Sequence, residues 1–386
     1  MSPRMKLAIV RQRYNPYGGA ERFVSRAVTA LAHEGVAVTV FARDWSDGAV
    51  GQGATELVRC EPFFLGRTWR DWSFSRAVCR ALSEREFDLV QSHERIACCD
   101  VYRAGDGVHA QWLENRTRVL GAAGRIGLAL NPYHRFLLAA ERRLFKSPRL
   151  RAVICNSKMV RDEIRRHFGT PEEKLHVVYN GVDLDVFHPR LKSQRLAVRA
   201  AMGLAPETML YLFVGSGFER KGLPQLLRAM PALASAHLLV VGEDKRQKAM
   251  QRLCVELGVA PRVHFMGPQK DVKPWYGAAD CFVLPTLYDP FPNAALEAMA
   301  SGLPVITTTQ CGAAEFVQQG VGGAVCEAGD VVGLALAMGK LNEVADAETM
   351  GRAARIAVSG LGTEAMAAQL ARLYRSLIAA RGTLAV

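Results

Sequence analysis

Short apolar runs that alternate with helix-like segments are the feature that most constrains this fold. In the first half, a strand predicted at Lys6–Val10 is followed by a Gly-containing loop, a helical pattern through Leu31 and a strand at Val36–Phe41. The second half restarts the alternation at Met209–Val214 and keeps it through Pro304–Thr307. Strands that alternate with helices are typical of parallel sheets in α/β proteins. The sequence therefore predicts two consecutive parallel α/β domains.

The boundary between the halves is predicted at Asn180–Pro189, where an Asn-Gly turn, two aspartates and a proline interrupt the pattern. This assigns a first domain to 1–185 and a second to 186–362, and a C-terminal helix at 363–386 is expected to return to the first domain. Ligands of such sheets bind at the carboxyl ends of the strands, so we expect the site in a cleft between the domains. Further strands are predicted at Glu56–Arg59, Phe87–Gln91, Val101–Arg103, Arg151–Cys155, Leu175–Tyr179, His237–Val241, Val263–Met266 and Asp280–Leu284.

The net charge of +12, from 49 basic and 37 acidic residues, favours anionic partners such as nucleotides, phosphorylated glycans, nucleic acid or acidic lipid. More than half of the excess lies between Gln111 and Arg151. Within this range, Trp112–Lys146 interleaves large apolar side chains with arginines. A basic amphipathic segment of this kind suits an anionic membrane surface, and a core-packing helix with a solvated basic face is the alternative.

The nine cysteines are scattered and include no C-x-x-C pair. This pattern indicates a reducing compartment, with mostly buried thiols and neither a disulfide framework nor a zinc site. The first apolar run is too short for a signal peptide, and no window of about 18 residues is apolar enough to cross a bilayer. We expect a cytoplasmic protein whose membrane contact is peripheral.

The stretch Leu284–Ser301 predicts a strand end, a tight turn and an Ala-rich helix, with Pro292 as the first helical residue. The amides at a helix N-terminus carry partial positive charge, so an anion or a polyhydroxy ring would bind there. Asp289 precedes the turn, and Glu297 shares a helical face with Asn293. Solvated capping carboxylates are the alternative interpretation.

A Gly-rich loop, Gly215–Gly222, follows the first strand of the second half and carries Arg220 and Lys221. Cations are disfavoured at the start of a helix, so their position indicates an anionic ligand such as a diphosphate, and ordinary surface charge is the alternative. The glycine spacing matches neither the G-x-G-x-x-G dinucleotide fingerprint nor the phosphate loop of nucleotide triphosphatases. In the first half, Gly18-Gly19 either lets a ligand approach the backbone or forms a tight turn only.

Several motifs, taken in order along the chain, resemble a known family. They are Gly18-Gly19, Asn156-Ser157-Lys158, Asn180-Gly-Val-Asp183, Gly215…Arg220-Lys221-Gly222, Asp289-x-Phe-Pro-Asn-x3-Glu297 and Ser301-Gly-Leu-Pro-Val305. Together they resemble the retaining glycosyltransferases of family 4, over nearly the whole chain. The resemblance implies an α/β structure of the GT-B type, in which two Rossmann-like parallel-sheet domains face each other across a cleft. Within the family, Tyr14-x-Pro-Tyr-Gly-Gly-x-x-Arg22 and Asp100-Val-Tyr-x-Ala-Gly-Asp106 are most similar to the glucosyltransferases of the lipopolysaccharide core.

The resemblance also implies roles for individual residues. In the acceptor-binding first domain, Gly18, Gly19 and Arg22 would contact the substrates, and Asp106 occupies the position of the active-site Asp. In the nucleotide-sugar-binding second domain, Arg220 and Lys221 would hold the diphosphate and neutralise the leaving group. Asp289 would bind the donor sugar together with amides of the turn formed by Phe291, Asn293 and Ala294, and Glu297 would bind the ribose. Asp289 departs from the family's usual Glu by one methylene, which affects the identity of the donor sugar.

The expected activity is transfer of a hexose, glucose from UDP-glucose, to an inner-core heptose of a lipid-linked oligosaccharide at the inner face of the inner membrane. Arg220 and Lys221 would make a divalent metal unnecessary, and no cofactor is expected besides the nucleotide-sugar substrate. Asp183-Leu-Asp185 has the spacing of a metal-binding triplet but is expected to cap a turn. Asp106 is a candidate nucleophile, base or positioning residue, with His93 and His109 as alternative bases.

Three other functions remain open from the sequence. One is a GT-B glycosyltransferase that acts on another cell-surface glycan with a different nucleotide sugar, and another is a GT-B sugar-nucleotide epimerase. The third is a nucleic-acid-binding module that would use the net positive charge. The sequence contains no recognition motif or aromatic stacking platform for nucleic acid, so no nucleic-acid partner is expected.

Overall fold

The computed structural model describes residues 5–13, 35–44, 54–317, 319–341 and 344–383. The chain divides into two compact units, one formed by residues 1–181 with 363–386 and the other by residues 182–362. Within the described residues, each unit contains one parallel sheet together with several helices. The prediction of an α/β fold with two parallel sheets is therefore confirmed.

In the described residues, the first unit contains a seven-stranded sheet with the order β3-β2-β1-β4-β5-β6-β7. Its strands are β1 (Lys6–Val10), β2 (Ala37–Ala42), β3 (Ala54–Arg59), β4 (Leu89–Ser92), β5 (Val101–Arg103), β6 (Ala152–Cys155) and β7 (Leu175–Val177). Its helices are α1 (Gly66–Ser83), α2 (His109–Val119), α3 (Ala122–Leu130), α4 (Pro132–Phe145), α5 (Lys158–Phe168) and, from the end of the chain, α13 (Thr363–Thr383). The strand order reverses direction between β1 and β4, where Leu7 lies opposite both Val38 and Leu89.

Alternating side chains of β1 build a hydrophobic core on each face of this sheet, because successive residues of a strand point to opposite faces. Leu7 and Ile9 pack in one core with Leu370 and Tyr374 of α13. Ala8 and Val10 pack in the other core, which includes residues of α1 such as Phe74. The C-terminal helix is therefore an integral part of the first unit.

The second unit, within the described residues, contains a six-stranded parallel sheet with the order β10-β9-β8-β11-β12-β13. Its strands are β8 (Leu210–Val214), β9 (His237–Val241), β10 (Val263–Gly267), β11 (Cys281–Leu284), β12 (Val305–Thr308) and β13 (Gly323–Cys326). Its helices are α6 (Arg195–Ala201), α7 (Leu223–Ala229), α8 (Gln247–Glu256), α9 (Lys273–Ala278), α10 (Asn293–Ala300), α11 (Val331–Gly339) and α12 (Val344–Ala357). Here the order reverses between β8 and β11, which pair directly.

Two local predictions differ from the structure. Pro292 is the N-cap of α10 and not its first helical residue, since its ψ of 121° is extended and the helix begins at Asn293. The helix predicted from Lys221 begins two residues later, because Gly222 adopts a left-handed conformation (φ 78°) that a right-handed helix does not accommodate. The inter-domain turn behaves as expected, with Asp183 Oδ1 accepting hydrogen bonds from the amides of Asp185 and Val186.

The expectation that the cysteines form no disulfide is wrong at one pair. Cys79 of α1 and Cys98 of the loop after β4 are joined by a disulfide, with their Cα atoms 5.9 Å apart. The pair is 19 residues apart in sequence, and only the packing of α1 against the sheet brings the two side chains together. The remaining cysteines are free and mostly buried.

No helix within the described ranges is both long enough and apolar enough to cross a membrane.

Candidate active site

The loops that follow β8 and β11 lie at the same edge of the second sheet, because these two parallel strands are neighbours. Backbone hydrogen bonds join the two loops. The carbonyl oxygen of Arg220 accepts from the amide of Leu287 at 2.8 Å and from the hydroxyl of Thr286 at 2.9 Å. The position of Arg220 is therefore determined by the partner loop as well as by its own.

Two glycines allow this close approach. A Cβ on Gly222 would lie 1.9 Å from the carbonyl oxygen of Pro285, so no other residue fits without moving the β11 loop. A Cβ on Gly215 would lie 2.6 Å from the side chain of Lys221. Lys221 therefore extends along the backbone of the loop that carries it.

A cluster of three charges lies at this junction. Asp289 is buried, and its Oδ2 atom is 3.1 Å from Lys221 Nζ and 3.3 Å from Arg220 Nη1. Arg220 Nη1 also donates to the carbonyl oxygen of Tyr288 at 2.9 Å. The two cations and one carboxylate leave the cluster with a formal excess of one positive charge.

The cations keep Asp289 ionised. Burial raises the pKa of the Asp289 carboxyl, but Lys221 and Arg220 outweigh burial through charge and hydrogen bonding, and the pKa is lowered from its ordinary value. Asp289 is therefore an anion at neutral pH and stabilises both cations in their observed positions.

Helix α10 begins four residues after Asp289 and carries the other predicted residues of the second unit. Asn293 and Ala294 form its first turn, where amide dipoles present partial positive charge. Glu297 is buried, and its Oε2 atom accepts a hydrogen bond from the hydroxyl of Tyr276 at 3.0 Å. The same hydroxyl lies 3.2 Å from the carbonyl oxygen of Ala294.

Tyr276 of α9 orients Glu297, and sequence reasoning missed it. Its position in a short helix before β11 was visible, but no spacing links it to a glutamate 21 residues later. The side chain of Phe291 packs in the protein interior, since its buried ring contacts the ring of Phe316 edge-on at a centroid distance of 5.8 Å. Any ligand contact of Phe291 would therefore be made by its backbone.

In the first unit, Asp106 lies in the loop after β5 with a half-exposed side chain. Its Oδ2 atom is 3.6 Å from Arg11 Nη1, and the same Arg11 atom is 3.6 Å from Glu94 Oε1. Arg11 follows β1 and Glu94 follows β4, so these charges gather where the order of the first sheet reverses.

His93 and His109, the two candidate bases, are both surrounded by groups that lower the pKa of their rings. Burial, followed by Arg11 and Arg103, lowers the pKa of His93 well below its ordinary value, and its ring lies 3.1 Å from Gln91 Nε2. Burial, followed by Arg95 and His134, lowers the pKa of His109 to about 3. Both rings are neutral at pH 7. His93 is buried, whereas His109 packs against Trp112 and His134.

Three predicted residues, Gly18, Gly19 and Arg22, lie outside the described residues. Of the others, the structure brings Arg220, Lys221 and Asp289 into direct contact in the second unit, and α10 carries Asn293, Ala294 and Glu297. A positively charged cluster beside a helix N-terminus is suited to binding a diphosphate. The described residues contain no group of three or more His, Cys, Asp or Glu side chains that could hold a metal ion.

Comparison with known proteins assigns the two halves of the chain to glycosyltransferase models. The model described as Glycosyltransferase Family 4 matches residues 17–186, and the model described as Glycosyl transferases group 1 matches residues 209–343. Together these ranges cover well over half of the sequence.

Three relatives illustrate the range of similar sequences. The lipopolysaccharide glucosyltransferase WaaG of Escherichia coli (strain K12) is 28% identical over 347 residues, which cover 88% of each chain. A D-inositol 3-phosphate glycosyltransferase of Mycobacterium sp. (strain KMS) is 28% identical over 81% of this chain and 75% of its own length. An uncharacterised glycosyltransferase of Methanocaldococcus jannaschii is 35% identical, but the match spans 44% of this chain and 45% of that protein.

Solved structures share the fold over almost the full length. The crystal structure of WaaG, a glycosyltransferase involved in lipopolysaccharide biosynthesis, superposes with a TM-score of 0.81 at 24% identity, covering 95% of this chain and 99% of that one. Anabaena HepE in complex with UDP-glucose gives a TM-score of 0.73 at 22% identity, covering 96% and 100% of the two chains. Because a glycosyltransferase model matches each half and the architecture is that of GT-B enzymes, the chain belongs to the GT-B glycosyltransferases and resembles the lipopolysaccharide glucosyltransferase WaaG.

Proposed function

We propose that this protein is a retaining, metal-independent hexosyltransferase that moves glucose from UDP-glucose to an inner-core heptose of lipopolysaccharide. The observation that carries the proposal is the contact of Arg220, Lys221 and Asp289 at the point where the second sheet reverses its strand order. Ligands of open parallel sheets bind at such reversal points. The similarity to WaaG over 88% of both chains supports the choice of donor and acceptor.

In this proposal the domain at 186–362 binds the nucleotide sugar. Arg220 and Lys221 bind the diphosphate, with the N-terminal amides of α10 behind it, and Glu297 binds the ribose. Both cations contact Oδ2 of Asp289, and Oδ1 makes no hydrogen bond within the described part of the chain, so Oδ1 accepts one from a sugar hydroxyl. The domain at 1–185 binds the acceptor and carries Asp106 near the reacting sugar. Its Gly18 and Gly19 approach the donor diphosphate and sugar, and Arg22 is a further substrate-binding residue.

During transfer, the bond between the sugar C1 and the diphosphate oxygen breaks, and its electron pair passes to the leaving oxygen. The acceptor hydroxyl forms the new bond to C1 from the same face, and its proton passes to the departing diphosphate. Negative charge grows on the leaving oxygen, so fixed cations stabilise the transition state more than the ground state. Arg220 and Lys221 supply this charge without a metal ion, and Asp106 positions the acceptor.

The acceptor is anchored in a membrane, and we propose that residues 112–146 bind the anionic inner face of the inner membrane. These residues form α2, α3 and α4. Helix α3 has the sequence AAGRIGLAL and no buried residue, and its Ile126 and Leu130 side chains are 61% and 70% exposed. An apolar helix amid arginines is suited to the interface of an anionic bilayer.

The activity is tested by incubating purified protein with UDP-, GDP- and ADP-sugars, with and without truncated core glycolipid, and by measuring nucleotide release. We expect release with UDP-glucose only when the glycolipid is present, and unchanged turnover in EDTA. An inverted anomeric configuration in the product, or loss of turnover on chelation, would contradict the retaining or metal-independent assignment.

The membrane proposal predicts that Ile126→Asp with Leu130→Asp lowers binding to vesicles containing anionic phospholipid about tenfold or more, because both side chains lose their apolar contact with lipid. Co-sedimentation in low and high salt measures this binding. Ile356→Asp in α12 is the matched control, since Ile356 is 73% exposed and Leu130 is 70% exposed. Equal vesicle binding by all three proteins would rule out α3 as the contact.

A second candidate is a GT-B glycosyltransferase of another glycan or phosphorylated polyol. The similarity to D-inositol 3-phosphate glycosyltransferase over 81% of this chain favours it. The same nucleotide-release assay, run with inositol 3-phosphate in place of the glycolipid, separates the two candidates.

A further inference from the structure

A cavity of about 480 Å³ lies within the first unit. Its lining comes from the segments after β1, β4 and β5, represented by Gln12, Glu94 and Asp106, and from helices α1 and α4. β1 and β4 are the strands between which the first sheet reverses its order. The cavity therefore occupies the position in the first sheet at which parallel α/β proteins bind ligands.

Several of the polar lining residues form a connected hydrogen-bond network. Asp71 of α1 accepts hydrogen bonds from the hydroxyl of Tyr133 at 2.9 Å, from Arg70 Nε at 2.8 Å and from Gln12 Nε2 at 3.2 Å. The backbone N–H of Gln12 donates a hydrogen bond to Glu94 Oε1 at 2.9 Å. The network connects α1 and α4 with the segments that follow β1 and β4. Its hydrogen bonds fix the positions of the carboxylates of Asp71 and Glu94, which a rigid binding site requires.

Another part of the lining is apolar and aromatic. Trp72 of α1 lines it together with Phe136, Leu137 and Ala140 of α4. The guanidinium of Arg76 lies over the Trp72 ring at 5.3 Å from its centroid, which restrains the ring. A cavity lined by both carboxylates and an aromatic ring suits a sugar, which presents hydroxyl groups and an apolar C–H face.

Arg143 of α4 adds a positive charge to the lining. Within the described residues its guanidinium makes no hydrogen bond or ion pair, whereas Arg70 and Arg95 are each bound to a carboxylate. An unpaired guanidinium is a bidentate donor for a phosphate or carboxylate group. The ligand expected here is a sugar that carries an anionic substituent.

We infer that this cavity is the acceptor subsite: it binds an anionic sugar with Trp72 against the ring, Arg143 on the phosphate and the hydroxyls toward Asp106. The inference rests on the proposed function, since a glycosyltransferase needs a second substrate site besides that of the donor. It identifies Trp72, Asp71 and Arg143 as residues that determine acceptor specificity.

The test uses two matched pairs of variants in the full-length protein. Trp72→Ala is compared with Trp69→Ala, because both residues lie on α1 with 46% and 44% exposure and only Trp72 is among the lining residues. Arg143→Gln is compared with Arg142→Gln, its exposed neighbour outside the lining. The ligand is the delipidated, phosphorylated heptose oligosaccharide of the inner core, and binding is measured by titration calorimetry without donor.

Trp72→Ala and Arg143→Gln are expected to raise the dissociation constant about five- to tenfold, whereas Trp69→Ala and Arg142→Gln leave it within twofold. Phosphatase treatment of the ligand should abolish the effect of Arg143→Gln and preserve that of Trp72→Ala. Equal affinities within each pair would overturn the inference. Nucleotide release by the wild type with UDP-glucose and the glycolipid is the separate check, and its absence would count against the proposed function instead.

Discussion

Replacing Lys221 or Arg220 by Ala is expected to lower kcat for sugar transfer by about 100- to 1000-fold, the usual effect of losing one well-placed donor to a developing negative charge. Lys221 Nζ and Arg220 Nη1 converge on one carboxylate oxygen of Asp289, at the proposed diphosphate site, so their charges act on one region. Steady-state kinetics with UDP-glucose measure the effect. Because the benefit is realised in the transition state, the affinity for UDP should fall by a smaller factor than kcat.

Arg228→Ala is the control for these variants. Arg228 is an exposed residue of α7 whose guanidinium contacts the carbonyl oxygen of Pro224. Its removal takes the same charge from the same unit without touching the cluster, and kcat should stay within twofold of the wild type. If Lys221→Ala and Arg220→Ala also retained the wild-type kcat, leaving-group stabilisation by these cations would be wrong.

Replacing Asp289 by Asn is expected to lower the free energy of unfolding at pH 7 by about 3 kcal/mol, because a largely buried Lys221 loses its counter-charge. The Lys221 side chain is 12% exposed, whereas that of Arg220 is 40% exposed and is screened by solvent. Since the folded state lowers the pKa of Asp289, its stabilising effect is present above its ordinary value of 3.8 and is lost as the pH falls below it. The difference between wild type and variant should therefore shrink below about pH 3.8.

Urea unfolding at pH 7 and at successively lower pH measures both parts of this prediction. Glu219→Gln is the control, because Glu219 makes an exposed ion pair with Arg246 at 2.8 Å and pairs of this kind contribute about 0–1 kcal/mol. A stability difference for Asp289→Asn that stayed constant across this pH range would show that the ionised carboxylate is not its source.

The fold could be predicted from the sequence because the pattern of apolar residues within each strand indicates a buried parallel strand. In β1, Leu7 and Ile9 belong to one face and Ala8 and Val10 to the other, and a run that is apolar on both faces is stable only inside a sheet covered on both sides. The strands were therefore predictable to within about two residues, except β13 (Gly323–Cys326), which was not predicted. Local turn chemistry was predictable for the same reason, as in the cap made by Asp183.

Motif order also identified all three residues of the charge cluster, since Arg220, Lys221 and Asp289 belong to the loops after predicted strands. Their contact was not predictable from these loops alone. It depends on β8 and β11 being neighbours, with Gly222 allowing the loops to approach. The sequence predicts that Asp289 binds the donor sugar. The structure shows in addition that Asp289 forms ion pairs with Arg220 and Lys221.

The sequence by itself determined the two parallel α/β sheets, their order of elements and the residue types of the candidate site, because strand periodicity and turn chemistry act over a few neighbouring residues. Only the tertiary structure decided which distant side chains meet: Tyr276 with Glu297, Cys79 with Cys98, and Asp71 with Tyr133. It also decided that α3 buries none of its residues. These contacts depend on which strands are adjacent and how helices pack on them, which is a property of the whole chain and is encoded in no single segment.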